Sequence, residues 1–325
     1  MSVTEPHDED AAAPAAINSF RRGILLAISS AVAYSAANLA LRGLSGRHDG
    51  LAWAIWVSAM KALPTVVVAT FLLGWRAKQR KVLFPSTGIL PLLFVSALVM
   101  QFGGNLGFQV ALGYIGLAIT VPLVFAFIIC AGAVMGRMFL GDQVSARTVL
   151  SMVIMTLAIV LLSWAATLNM SSVTANATSS ATKNIWMGIF VAVVSGMSYG
   201  INGVVIRGIG RGKLPIESML IVYSLTGAIL LGTLGGTMLG TERLLAISMA
   251  EWQMMLTAGA FNSIAFFSIS HALKLANVTQ VNLINASQNA MCAIGAVLIF
   301  AEPLSLPMVA GIVLSIVGLF ALDKK

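Results

Sequence analysis

Charged residues are scarce in this chain, and their scarcity excludes most water-soluble folds. Asp, Glu, Lys and Arg together make up only 9% of the 325 residues, whereas an average soluble domain contains roughly 25%. Apolar residues make up 58%. A soluble fold of this length cannot bury so much apolar side chain, so the composition predicts a protein embedded in a lipid bilayer.

The chain also has only two cysteines, and no acidic residue lies in the interior of a predicted helix. The two cysteines, Cys130 and Cys292, both lie in apolar runs, so they predict neither a disulfide framework nor a zinc site, and we expect no metal and no cofactor. All eleven acidic residues fall in predicted tails or loops. Without paired acids, metal ligands or a nucleophile beside a base, the apolar segments do not predict an enzyme.

Long apolar runs are what the chain has in abundance. A bilayer core of about 30 Å takes roughly 17 to 25 helical residues, and a backbone in lipid must form its own hydrogen bonds. We therefore predict an all-α integral membrane protein with ten transmembrane helices. The predicted helices lie near residues 23–41, 53–74, 88–110, 116–136, 146–166, 185–206, 217–239, 252–273, 277–299 and 306–322. Breaks of three residues, at 113–115 and 274–276, predict tight helical hairpins.

The positions of Lys and Arg predict the orientation in the membrane. With the N-terminus inside, fourteen of the nineteen fall in inner segments, four fall in outer segments, and Lys61 lies within a helix. Cytoplasmic loops are enriched in basic residues. We expect a multi-pass protein of a bacterial inner (plasma) membrane with both termini cytoplasmic. No contiguous basic run points to nucleic acid, so the expected partners are a small-molecule solute and the lipid bilayer, with a homodimer allowed.

An internal repeat divides the chain into two halves. Residues 23–43 match residues 188–208 at an offset of 165, with seven of 21 positions identical, including Tyr34 with Tyr199. We predict a disordered cytoplasmic tail at 1–20, a first five-helix repeat at 21–166, an external Ser/Thr/Asn-rich loop at 167–184 and a second five-helix repeat at 185–322. Because five is odd, the second copy enters the membrane from the opposite side. Such inverted repeats are typical of secondary transporters.

Further repeated motifs resemble a known family. The motifs are Ala111-Leu112 with Ala272-Leu273, the acid and serine pairs Asp142/Ser145 and Glu302/Ser305, Pro122 in the fourth helix, and a last helix rich in small residues. Over about residues 20–322 the chain resembles the ten-helix EamA-type members of the drug/metabolite transporter superfamily. It departs from them in lacking the second-half proline and in having Asp rather than Glu at 142. The resemblance implies a transporter, but the superfamily carries amino acids, sugars, nucleotide sugars and drugs.

Polar side chains recur inside the predicted helices, where they are costly and tend to face a cavity or join helices. The candidate solute-binding residues are Tyr34, Asn38, Lys61, Gln101, Asn105, Gln109, Tyr199, Asn202, Asn262, Asn282, Asn285 and Asn289. Amides donate and accept hydrogen bonds without carrying charge, so a cavity lined by them suits a polar neutral or zwitterionic solute. Hydrogen bonding between helices is the competing interpretation for each single residue.

Lys61 and His271 each have two interpretations at this point. Lys61 either meets a carboxylate or phosphate on the solute or extends to the outer interface, since it lies eight residues, roughly 12 Å along a helix, from Trp53. His271 is expected at the cytoplasmic end of the eighth helix, as an interfacial residue rather than a proton relay.

The functional prediction is a secondary transporter that moves polar small metabolites, such as amino acids, by alternating access in export or exchange. The lack of a carboxylate within a helix disfavours proton coupling and favours facilitated diffusion or exchange. The alternatives are a flippase for lipid-linked sugars and an exchanger of nucleotide sugars or sugar phosphates. A passive channel is disfavoured because no ring of charges or filter-like loop is evident.

Overall fold

The chain folds into membrane-length helices. The computed structural model describes residues 9–45, 50–84, 87–174, 179–211, 214–300 and 304–321, and these contain helices and short connections but no strand. Nine helices in these ranges are long and apolar enough to cross a membrane. They are α1 (Asn18–Arg42), α2 (Gly50–Lys78), α3 (Leu90–Leu117), α4 (Ile119–Leu140), α5 (Ala146–Ala165), α6 (Ile185–Gly210), α7 (Ile216–Leu245), α8 (Met249–Leu275) and α9 (Val278–Ile299). A further apolar helix, α10 (Leu306–Gly318), is shorter.

The outer surface of these helices is apolar. Large side chains such as Phe71, Phe139, Trp186 and Leu298 are more than two thirds exposed. Contiguous exposed apolar surface of this kind is rare on a soluble monomer but suits contact with lipid chains. The chain is therefore an integral, multi-pass membrane protein, as the sequence predicted.

Helical structure extends into two segments that the sequence assigned to a tail and a loop. The helix that contains α1 begins at Glu9. The helix that contains α5 continues to Thr174, and the helix that contains α6 begins at Ser179. The N-terminal segment is rich in alanine, the strongest helix former, whereas the loop segment is rich in Ser, Thr and Asn. Residues 1–8 and 175–178 lie outside the described part of the chain, as does Glu302.

Four helices are irregular near their middle. Helix α2 breaks at Lys61, where Gly50–Met60 gives way to Leu63–Lys78 with Pro64 in its first turn. Helices α3 and α7 contain π-helical segments, Val99–Leu106 and Gly227–Leu231. Helix α9 has a turn at Ser287. Irregular backbone at membrane depth occurs where protein or a cavity, rather than lipid, surrounds it.

The turn between α3 and α4 depends on one glycine. Gly116 has φ +69°, a left-handed conformation that other residues adopt only with strain. The helices on either side otherwise continue almost without interruption. The hairpin predicted at 113–115 therefore turns at Gly116, slightly later than expected.

Helices of each half of the chain pack mainly against helices of the other half, an arrangement that we call exchanged packing. Helix α1 packs along α8, while α6 packs along α3 and α4; α2 packs on α7, and α5 on α10. Each of these pairs joins a helix before residue 166 to one after residue 184. The Ser151 hydroxyl, for example, donates to the Gly318 carbonyl at 2.6 Å.

Helices α3 and α6 approach each other closely because glycines line their contact. A Cβ atom at Gly104 would lie 2.9 Å from a ring carbon of Tyr199, which is too close for a real contact. The Ser195 hydroxyl donates to the Gly104 carbonyl at 2.8 Å across the same interface. Small residues of this kind let membrane helices pack tightly without a hydrophobic driving force.

Candidate functional site

A cavity lies among α1, α2, α3, α4, α6, α8 and α9, and both halves of the chain line it. It encloses about 850 Å³ of empty space, including the part that is open to solvent. Its polar lining residues are Tyr34, Asn38, Lys61, Asn105, Tyr199, Asn202, Asn262, Asn282, Asn285 and Gln288. Ligand cavities are commonly apolar with a few convergent polar groups. This cavity has more amide side chains than such cavities usually have.

Nine of the twelve candidate residues line this cavity, and three do not. Gln101 instead donates to the Tyr223 carbonyl of α7. Gln109 and Asn289 are buried elsewhere, and each has a side-chain oxygen without a hydrogen-bond partner among the described residues. These three residues lie outside the cavity lining, and solute binding by the twelve candidate residues stays a prediction.

One hydrogen-bond network joins α1 to α9. The side-chain oxygen of Asn285 accepts from the Ser30 hydroxyl at 3.0 Å and from the Gln288 amide at 3.1 Å. Gln288 in turn accepts from Asn38 at 3.3 Å. The Asn285 amide also donates to the Val281 carbonyl within its own helix. The hydrogen-bonding capacity of Asn285 is therefore largely used by the fold itself.

A second network joins α3, α6 and α7. The Tyr199 hydroxyl donates to the Asn105 side-chain oxygen at 2.8 Å, and the Asn105 amide donates to Gln101 at 2.8 Å. The side-chain oxygen of Asn202 accepts from the Ser96 hydroxyl at 2.6 Å. Both networks cross between the halves, so hydrogen bonds among cavity-lining residues join the two halves.

Lys61 is the one charged residue that lines the cavity within the described ranges. It lies at the break of α2 and is only 3% exposed. Gly259 of α8 packs closely on the Lys61 carbonyl and on the ring of Pro64, which fixes the break against a neighbouring helix. Of the two interpretations of Lys61, its place in the cavity favours contact with a solute over extension to the interface.

A buried ion pair joins the halves outside the cavity. The Arg207 guanidinium of α6 lies 3.3 Å from the Asp142 carboxylate, which follows α4. It also donates to the Leu273 carbonyl at 3.1 Å and to the Asn277 side chain at 2.8 Å. This set links α4, α6, α8 and the start of α9 at one end of the bundle.

The apolar part of the cavity includes aromatic rings outside the set of candidate residues. Phe108, Phe125 and Phe266 all line it. The ring of Phe266 lies edge-on to Tyr223, with centroids 5.8 Å apart. Phe125 lies in a run without nearby polar residues, so no pattern distinguished it. His271 does not line the cavity; it is partly buried and bonded to the Phe267 carbonyl at 2.9 Å.

Comparison with known proteins identifies the second half. Residues 186–322 match the EamA-like transporter family. This half of the chain is an EamA domain. The EamA family belongs to the drug/metabolite transporter superfamily, so the resemblance inferred from the motifs is confirmed for this half of the chain.

The fold of the chain also occurs in a solved structure. A protein of known crystal structure superimposes with a TM-score of 0.67, over 92% of this chain and 96% of the other, at 15% sequence identity. At that identity the similarity concerns the fold alone. Among curated protein sequences, none matches this chain. The fold similarity extends across both halves, whereas the family match covers the second.

Proposed function

We propose that the protein is a secondary transporter that moves polar small metabolites, such as amino acids, by alternating access of its two halves, in export or exchange. The observation that carries the proposal is the cavity lined by both halves, with amide side chains from α1, α3, α6, α8 and α9. A solute bound there touches both halves at once. A rocking motion between them can then expose it to either side.

An inverted ten-helix repeat, with α10 as the tenth span, is part of this proposal. The exchanged packing supports it, since α1 with α8 and α6 with α3 are equivalent pairs in two five-helix repeats. The irregular segments support it as well. At the offset of 165, the break at Lys61 corresponds to residue 226, and the π segment of α7 begins at Gly227.

The polar lining supports a metabolite rather than a lipid tail as cargo. Tyr34 and Asn262 line the cavity without a hydrogen-bond partner in the described part of the chain, which leaves them available to a solute. Every described acidic residue lies outside the lining, so exchange or facilitated diffusion is the proposed driving mode rather than proton coupling.

The test is uptake and counterflow in proteoliposomes that contain the purified full-length chain. A mixed pool of labelled amino acids, sugars, nucleosides and nucleotide sugars is offered at several pH gradients and membrane potentials. Saturable exchange of one solute class is the expected result. Accumulation driven by a pH gradient alone would contradict the proposed exchange mode. Movement of lipid-linked sugars without any soluble solute would replace the proposal with a flippase.

A further inference from the structure

Lys61 is a buried basic residue, and no described residue supplies it with a counter-charge. It is 3% exposed, lines the cavity, and has neither an ion-pair partner nor a hydrogen-bond acceptor among the described residues. A buried ammonium group without a partner is costly because it has lost its hydration. An anion that enters the cavity offsets much of that free-energy cost by pairing with the ammonium group. The site is therefore suited to bind a negatively charged group.

We infer that Lys61 binds the carboxylate of the transported solute, and that the substrates are small carboxylates carrying one negative charge, including zwitterions. This inference rests on the proposed function and narrows it. Polar neutral compounds, which the amides alone would accept, become weaker ligands, because they leave the Lys61 charge unmatched. Amines without a carboxylate are repelled by Lys61.

The single positive charge favours a carboxylate over a phosphate ester. A phosphate monoester carries nearly two negative charges at neutral pH and is commonly bound by arginine forks or several cations. No arginine and no second lysine line the cavity within the described ranges. Arg207, at the end of the bundle, is already bonded to Asp142 and Asn277. One ammonium group matches one carboxylate, which disfavours sugar phosphates and nucleotide sugars.

The rest of the cavity suits the remainder of such a solute. Tyr34 and Asn262 can hydrogen-bond its polar groups, and the rings of Phe125 and Phe266 can cover an apolar side chain. The ammonium group of a zwitterion can bind amide oxygens and aromatic faces, as cations commonly do. A short amino acid therefore has a complementary group for each of its parts.

The experiment compares matched solutes that differ in one group. Full-length protein in proteoliposomes is tested by counterflow with amino acids, their primary amides, their decarboxylated amines, and phosphoethanolamine, which has a phosphate ester but no carboxylate. We expect each accepted amino acid to bind at least about tenfold more tightly than its amide, since hydrogen bonds to charged groups contribute more than neutral ones. Lys61→Gln should lose this discrimination. Lys78→Gln, an exposed lysine of the same helix, should keep it.

The outcomes separate this inference from the proposed function. Saturable exchange with equal affinity for an amino acid and its amide contradicts the role of Lys61. It does not contradict the proposal that the protein is a transporter. Preference for phosphoethanolamine over the amino acids also overturns the role of Lys61, and so does a Lys61→Gln protein that still discriminates between acid and amide. Lack of saturable exchange of every solute overturns the proposed function and the inference with it. The wild-type comparison does not depend on the folding of any variant.

Discussion

Individual amides of the cavity differ in whether they hold the fold together or remain available to a solute. Asn285 accepts hydrogen bonds from Ser30 and Gln288 and donates one to Val281. Asn262, on the neighbouring α8, lines the same cavity with no hydrogen-bond partner in the described part of the chain. The same residue type therefore has a structural role at one position and a proposed binding role at the other.

Replacing each asparagine by alanine should separate these roles. Asn285→Ala leaves two buried donors without their acceptor and should lower stability by about 1–3 kcal/mol, measured as thermal unfolding in detergent. Asn262→Ala should leave unfolding nearly unchanged and weaken solute counterflow. The assignment would be wrong if Asn262→Ala proved the more destabilising of the two, or if it had no effect on counterflow.

The sequence predicted most of the polar cavity residues but not which member of each stripe faces the cavity. Gln101, Asn105 and Gln109 are spaced by four, but the first two lie in the π-helical segment Val99–Leu106 and the third lies beyond it, so the register changes along the stripe. Asn105 alone of the three lines the cavity. In α9 the turn at Ser287 shifts the register, and Gln288 lines the cavity in place of Asn289.

At the scale of whole helices, the ion pair between Arg207 and Asp142 is the strongest described electrostatic link between the halves. Both side chains are less than 10% exposed. A second pair between the halves, Arg76 of α2 with Glu217 of α7, is longer at 3.6 Å and more exposed. Burial should make the first pair far more sensitive to loss of one partner, and the second serves as its matched control.

Asp142→Asn should destabilise the protein much more than Glu217→Gln. The first change leaves a buried guanidinium without its counter-charge, which typically costs about 3–5 kcal/mol; its bonds to Leu273 and Asn277 place the expected value at the lower end. The second removes a partly exposed pair that contributes about 0–1 kcal/mol. Thermal unfolding of the two variants measures the difference. Equal effects would contradict a special role for the buried pair.

Helix positions were predictable, whereas the irregular segments within helices were only partly so. The apolar runs matched the observed helices, with ends that differ by up to seven residues, because lipid sets both their length and their composition. Pro64 signalled the break in α2. The π segments of α3 and α7 carry no proline, and they contact each other where Gln101 packs on Gly227. A contact between distant segments leaves no local pattern in the sequence.

For the molecule as a whole, the predicted orientation can be tested by labelling from each side of the membrane. Gln79 follows α2 and Ala246 follows α7, and both are exposed. Five helices separate them, so they should lie on opposite sides. With Cys130→Ala and Cys292→Ala as background, a Gln79→Cys protein should react with an impermeant reagent only from the cytoplasmic side, and an Ala246→Cys protein only from outside. Labelling of both from one side would contradict the ten-helix topology.

The exchanged packing has a consequence for how the protein is made. Helix α1 finds its main partner in α8, and Ser30 finds its acceptor in Asn285, more than 250 residues later. During synthesis the first five helices are inserted before their partners in the second half exist. Until then their amides and glycines contact lipid or one another. Assembly is completed only after α8 and α9 have joined α1 and α10 has joined α5. A ribosome stalled near residue 184 would release a truncated protein whose polar helix surfaces face lipid. Such a protein would be a substrate for membrane quality-control proteases.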